Sequence, residues 1–338
     1  MNTKNAVIRE KRKKVSQLIE RWLYSNEQFL NIITIPCAST DIFIYSILEY
    51  MNKGKSILYI SNEDEEYVDI LEKIKKNSSF RGYSYLRRGD IKLKSKFIIA
   101  KAANALEIMR DFDLVIFDDT RAFPHHTSYE IIDIMARMSK DEGKFIYCGV
   151  ESIFKGKREI IIPVSEWPHP IVEPRTITTK INLEEDIPYI IYDYLKWSLY
   201  EDRKVVIYIP NLEKGLKVAS YIRFYCKKLN KGVLCSWEEG KEKSFLKFAK
   251  VKSAVLITYT FENIPTYFAN ANLMVFFADY KLYDYKKLFH FCGVINSYES
   301  NFKEVIYVSN EETEDMDKAK ELARSFNKEA WDMGFLSY

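Results

Sequence analysis

Two adjacent carboxylates at the end of an apolar run, Asp118 and Asp119 in DLVIFDDTRAFPHH (113–126), are the residues of this chain best placed to do chemistry. A strand ending in paired acids is how nucleotide-hydrolysing proteins present one carboxylate to Mg2+ and a second to the attacking water. An ordinary strand that closes in an acidic turn has the same sequence, and on this segment alone the two readings weigh equally. His125–His126 follows, but neighbouring residues on a loop chelate a metal poorly without further ligands, and no metal is expected. Cys37, Cys148, Cys226, Cys235 and Cys292 contain no Cys-x-x-Cys pair, which argues against a disulfide framework and a zinc ribbon and for buried thiols.

Such carboxylates need a scaffold, and short apolar runs alternate with helical stretches as parallel sheets flanked by helices require. Strands are expected at 31–35, 56–60, 97–100, 113–117, 144–148 and 158–162. Helical spacing of Ile44, Ile47, Leu48 and Met51 marks a helix over 40–52. A second helix, DEEYVDILEKIKK (64–76), has acids in its first turn and lysines in its last, which suits the helix dipole. Prolines at 163, 168, 170, 174 and 188 then predict a stretch without regular structure. Beyond it the pattern resumes, with strands at 204–209, 254–258, 273–277 and 304–308 and helices at 186–198, 212–228, near 282–292 and from about Thr313. The expected organisation is a first lobe over 1–163, a linker over 164–185 and a second lobe over 186–338.

A length of 338 residues, 47% hydrophobic and 29% charged, suits two soluble globular domains. No apolar run approaches the ~20 residues of a membrane span. The charged start carries no apolar secretory segment, so a cytoplasmic protein is expected. The net charge of +3 is uneven, since residues 1–14 carry +5 and the remainder −2. A basic arm of that kind can bind phosphates by counterion release, although a solvated helix start has the same composition. The 24 Tyr and 21 Phe fit an A/T-rich coding sequence as well as a base-stacking platform.

The Asp118-Asp119-Thr120-Arg121-Ala122-Phe123-Pro124 segment resembles the Asp-Glu-x-Asp-Ala-Phe-Pro of the ComFA late-competence helicases, superfamily-two, DEAD-like DNA translocases, and the order of elements is similar from Val15 to the C-terminus. The resemblance implies two tandem RecA-like lobes with parallel sheets, and it implies where the motor residues should stand. Pro36-Cys37-Ala38-Ser39-Thr40-Asp41 occupies the place of the phosphate loop Gly-x-Gly-Lys-Thr. Glycines let backbone N–H groups curl around phosphate and the lysine reaches its oxygens, but Ser39 replaces the lysine and Pro36 has no N–H to give. Thr40 matches the Mg2+-binding hydroxyl and equally suits a helix N-cap. Asp118 matches the metal ligand, Asp119 is one methylene shorter than the family's glutamate, and Arg121 reverses the family's second aspartate. Cys148-Gly149-Val150-Glu151 stands for Ser-Ala-Thr-Pro, and Glu173-Pro174-Arg175 keeps part of a later marker. In the second lobe, Glu262 and Thr266 fit the family while Asn263 and Ile264 replace Arg-Gly, and Val294 and Ser297 stand where both transition-state arginines should be.

These substitutions lead to the expectation of a helicase-like protein without catalysis, a pseudo-translocase that binds DNA, single- or double-stranded, or scaffolds competence and DNA-uptake proteins. No catalytic residue and no cofactor are expected. Candidate DNA contacts are Lys11, Arg12, Lys13, Lys14, Lys101 and Lys155. The rival is an active ATP-dependent translocase in which Thr40, Asp118 and Asp119 hold Mg2+ for ATP, and Arg121 takes a phosphate-binding role. A third reading is an interaction module that binds neither nucleotide nor DNA.

Overall fold

A computed structural model describes residues 3–88, 95–167, 169–225, 232–260, 271–296 and 303–336. The chain divides into two compact units, Met1–Pro170 with Glu329–Tyr338, and Ile171–Lys328. The last ten residues thus group with the first unit rather than with a lobe running from 186 to the C-terminus.

The first unit runs α1 (Thr3–Leu23), β1 (Phe29–Thr34), α2 (Ile44–Asn52), β2 (Ile57–Ser61), α3 (Asp69–Asn77), β3 (Tyr83–Leu86), β4 (Phe97–Ala100), α4 (Ala102–Ala105), β5 (Phe112–Asp118), α5 (Ser128–Arg137), β6 (Ser139–Gly149) and β7 (Arg158–Ile162). Its seven strands lie in the order β3-β4-β2-β5-β6-β1-β7, and every neighbouring pair is parallel. Parallel strands covered on both faces read as unbroken apolar runs, and β2 and β4 are buried throughout. The period of two along a strand sorts these side chains. Ile57, Tyr59, Leu114 and Ile116 enter one cluster with Ile19 and Trp22 of α1 and Ile47 of α2. Leu58, Ile60, Val115 and Phe117 enter another with Ile131 and Met135 of α5.

The second unit runs β8 (Arg175–Thr178), α6 (Tyr189–Tyr200), β9 (Lys204–Tyr208), α7 (Leu212–Tyr225), β10 (Val233–Cys235), α8 (Lys241–Lys250), β11 (Ala254–Thr258), β12 (Ala271–Phe276), α9 (Tyr285–Asn296), β13 (Val305–Ser309) and α10 (Glu314–Asp332). Its parallel sheet has the order β10-β11-β9-β12-β13-β8. The architecture is two tandem α/β lobes, as the alternation of runs implied.

Two expectations need correction. The proline-containing stretch holds a regular strand, β8, which among the described residues lies at the sheet edge beside β13. Pro174 immediately precedes it, and an edge position tolerates a missing N–H at a strand start. Of the two readings of the basic N-terminal segment the helix holds, since Thr3–Leu23 form one helix, but one face of it is not solvated. Ile8, Arg12, Val15, Ile19 and Trp22 of that helix are all buried.

Trp22 is fully buried under the first sheet, whereas Val7 on the same helix is 43% exposed. Trp22→Ala should therefore cost about 3–5 kcal/mol, and Val7→Ala close to nothing. Urea unfolding followed by far-UV circular dichroism checks the difference, and equal losses would mean that α1 is not held by this packing.

Candidate functional site

The C-terminal ends of β1, β2 and β5 bring together the loop 36–41, Glu63 and the segment 118–121. Ligands of open α/β sheets bind at this end of the strands. Alternation at the end of β5 sends its two acids into different surroundings. Asp118, 2% exposed, accepts from the Tyr59 hydroxyl at 2.5 Å, from the Thr120 N–H at 3.0 Å and from the Thr120 hydroxyl at 2.7 Å. Asp119 is half-buried and accepts from the Tyr147 hydroxyl at 3.2 Å.

Arg121 sets the character of the corner. Its side chain is only 14% exposed, and Nη1 donates to the carbonyl oxygens of Cys37 at 2.8 Å and Ala38 at 3.4 Å. Nε faces Glu63 at 3.3 Å and Nη2 lies 3.6 Å from Asp69. From the other side Arg12 of α1, 4% exposed, donates through Nη2 to the Ser39 carbonyl at 2.7 Å and forms an ion pair with Asp41. Thr40 donates both its N–H (2.9 Å) and its hydroxyl (2.8 Å) to Asp69. Lys73 of α3 meets Glu166 at 2.5 Å beside them. Cys37 adopts φ +59°, a left-handed conformation that glycine takes without cost. The carbonyls of Cys37, Ala38 and Ser39, three in a row, face two guanidinium groups.

Burial opposes charge on every member of the cluster, and neighbours decide the outcome. Burial pushes the Glu63 carboxyl up to about 7, with Asp118 and Asp69 adding to the rise and Arg121 only partly countering it. Asp118 is likewise raised by burial, against the pull of Tyr59 and Thr120. Burial would also raise Asp69, but Arg121 and the two Thr40 donors outweigh it and hold the acid below its ordinary value. Arg121 stays charged, because Asp69 and Glu63 overcome its desolvation.

A magnesium triphosphate does not fit these residues as they are arranged. Both oxygens of Asp118 are engaged, the Thr40 N–H and hydroxyl are spent on Asp69, and the carbonyls of residues 37–39 face guanidinium groups. Among the described residues no group of three His, Cys, Asp or Glu could hold a metal ion.

Of the candidate nucleic-acid contacts, Arg12 is corrected, because its guanidinium is buried and held by Asp41 and the Ser39 carbonyl through Nε and Nη2. Lys13 and Lys14 are exposed, with Lys14 2.9 Å from Glu10. The Lys11 ammonium donates to the Met333 carbonyl and lies 4.4 Å from the centre of the Phe335 ring. Lys101 pairs with Asp64, and Lys155 is exposed. Val294 is buried in α9 of the second unit. Ser297, Glu262, Asn263, Ile264 and Thr266 lie outside the described residues. Sequence reasoning did not single out Glu63, Asp69, Tyr59 or Glu166 as site residues. The charge reversal at Arg121 was the signal that could have found the two acids, since a buried cation demands nearby anions.

Several solved structures share this fold. RecG bound to a three-way DNA junction superposes with a TM-score of 0.56 at 13% identity, over 95% of this chain and 46% of that one. Saccharomyces cerevisiae Dbp5 bound to RNA and ADP BeF3 gives 0.56 at 12%, over 93% and 89%. The Escherichia coli DExH-box NTPase HrpB gives 0.52 at 10%, over 90% and 41%. The chain thus spans less than half the length of the RecG and HrpB chains. No family profile and no curated protein sequence matches it.

Arg121→Ala would leave Glu63 and Asp69 buried without their guanidinium and should cost about 3–5 kcal/mol, read by urea unfolding at pH 7. Glu63 adds a pH dependence of definite sign. The folded state keeps its proton up to about 7, whereas an unfolded glutamate releases it near ~4.3. Stability should therefore fall as pH rises between those values, and Glu63→Gln should flatten the fall. An unchanged slope in that variant would show that Glu63 is not the titrating group.

Proposed function

We propose that this chain is a helicase-like nucleic-acid-binding protein that works without nucleotide turnover, as a DNA-binding or scaffolding factor in competence and DNA uptake. The observation that carries the reading is the Arg121 guanidinium lodged against the Cys37 and Ala38 carbonyls, in the loop that a catalytic motor offers to phosphate. An arginine aimed at the transferring phosphate is worth ~10³–10⁵ in rate. Here Val294 and Ser297 stand at those positions, Ser39 replaces the lysine, and no cofactor is needed. Contact with a phosphate backbone asks less, only spread cations and amides on a rigid surface, and the proteins with this fold include one bound to a DNA junction and one bound to RNA. The competence role rests on the ComFA resemblance of the Ala122-Phe123-Pro124 segment and the collinear order of elements.

The purified protein should bind single-stranded DNA weakly, with little sequence preference and an affinity that falls steeply with salt, while ATP turnover stays at background with or without DNA. Ser39→Lys should not restore turnover, because Arg121 and Arg12 would still hold the carbonyls of residues 37–39 and the arginines replaced by Val294 and Ser297 would still be missing. Fluorescence anisotropy and a coupled ATPase assay read the two halves. DNA-stimulated hydrolysis that Asp118→Ala abolishes would replace this reading with the divergent ATP- and Mg2+-dependent translocase. Absence of nucleic-acid binding at low salt would leave the interaction module instead.

A further inference from the structure

At the other end of the first sheet from the loop 36–41, a cavity of about 330 Å³ opens among residues 26–29 and 156–158. It sits at the N-terminal ends of β1 and β7, where Leu30 pairs with Arg158. Six residues of strand, about 20 Å, separate it from Arg121's corner. Lys155, Lys157 and Arg158 are exposed on one turn. Gly156 between them has φ +67° and nothing within 4 Å of where a Cβ would stand, which leaves the backbone open to close approach. The opposite wall is fixed, because the Lys144 ammonium holds the carbonyls of Ser25 at 2.8 Å and Glu27 at 2.6 Å.

The lining combines cations with an aromatic ring. Phe29 is partly buried, stacks on Phe145 at 4.9 Å between centroids, meets Phe154 at 5.0 Å in a tilted contact, and has the Lys157 ammonium 5.7 Å from its centre. Glu27, 3.6 Å from Arg158, is the acid of the lining. Basic side chains beside an aromatic face are how sequence-tolerant proteins hold single strands, the cations on the backbone and the ring under a base. The volume lies at the lower end of small-molecule sites and suits one nucleotide.

We propose that this cavity receives one nucleotide unit, with its phosphate on Lys157 and Arg158 and its base on the Phe29 ring. The site deepens the nucleic-acid-binding reading and rests on it, with the strand rather than the free nucleotide as its source. In the unliganded protein Glu27 competes for Arg158 and Lys157 covers the ring, and a bound phosphate draws both cations away.

The test uses the full chain, a labelled oligo(dT), free dTMP, and the variants Lys157→Ala/Arg158→Ala and Glu27→Gln, with thermal melts to confirm that these surface changes leave the fold intact. The double variant should lose tenfold or more in oligo(dT) affinity, and its salt slope should shrink by about 0.7, the value for one single-strand phosphate contact. Glu27→Gln should bind more tightly than the native chain. An oligo(dT) carrying 5-iodouracil should photocrosslink to the peptide containing Phe29. Wild-type binding with unchanged affinity and slope in the double variant overturns this site and leaves the nucleic-acid reading standing. If wild type binds no oligonucleotide, that reading fails and dTMP decides the site. Binding of dTMP lost in the double variant supports it with free nucleotide as the source, and no dTMP binding overturns it.

Discussion

The guanidinium of Arg121 carries a full charge into a corner that also holds Glu63, Asp69 and Asp118, and the other contacts there are arranged around it. Its fork spans two carbonyls and two carboxylates, a geometry that an ammonium, which is a point charge, could not reproduce. With Arg121 in place, Thr40 can spend both its donors on Asp69, and Arg12 can close the remaining carbonyl from the α1 side. Without it, Glu63 and Asp69 would stay buried and lose the guanidinium that offsets their desolvation.

The corner also ties the first unit together. α1 is held by apolar packing at Ile19 and Trp22, but its register against the loop is set by the Arg12–Asp41 pair. α3 is joined to the same loop by Asp69 and to the segment after β7 by Lys73 and Glu166. Three elements far apart in sequence therefore meet through side chains that in themselves are ordinary surface types. Charge so deeply committed to structure contributes little to attraction at long range. The cations left for a polyanion are those that solvent reaches, among them Lys13, Lys155, Lys157 and Arg158.

The sheets were legible in the sequence because parallel strands covered on both faces have no polar phase to disguise them. SILYI, FIIA and DLVIF fall on or within one residue of β2, β4 and β5. The strands that escaped, β3, β8 and β10, are edge or near-edge segments of three or four residues, two of them only partly buried. Their polar residues and a flanking proline hide a weak signal. The positions of the loop and the acidic pair were legible from motif order. Which groups would satisfy Arg121 was not, because Glu63 and Asp69 reach it through tertiary contacts that no spacing rule encodes. Arg12 was misread for the same reason, since a lysine- and arginine-rich segment looks solvated until one member of it is found beneath the helix.

The corner also limits which single exchanges the first unit tolerates. Glu63 and Asp69 share one guanidinium, so exchanging Arg121 alone strands both acids in the interior. Arg12 and Asp41 close the same loop from the α1 side, so the helix and the loop are bound into one interdependent set of charges rather than a row of separable contacts.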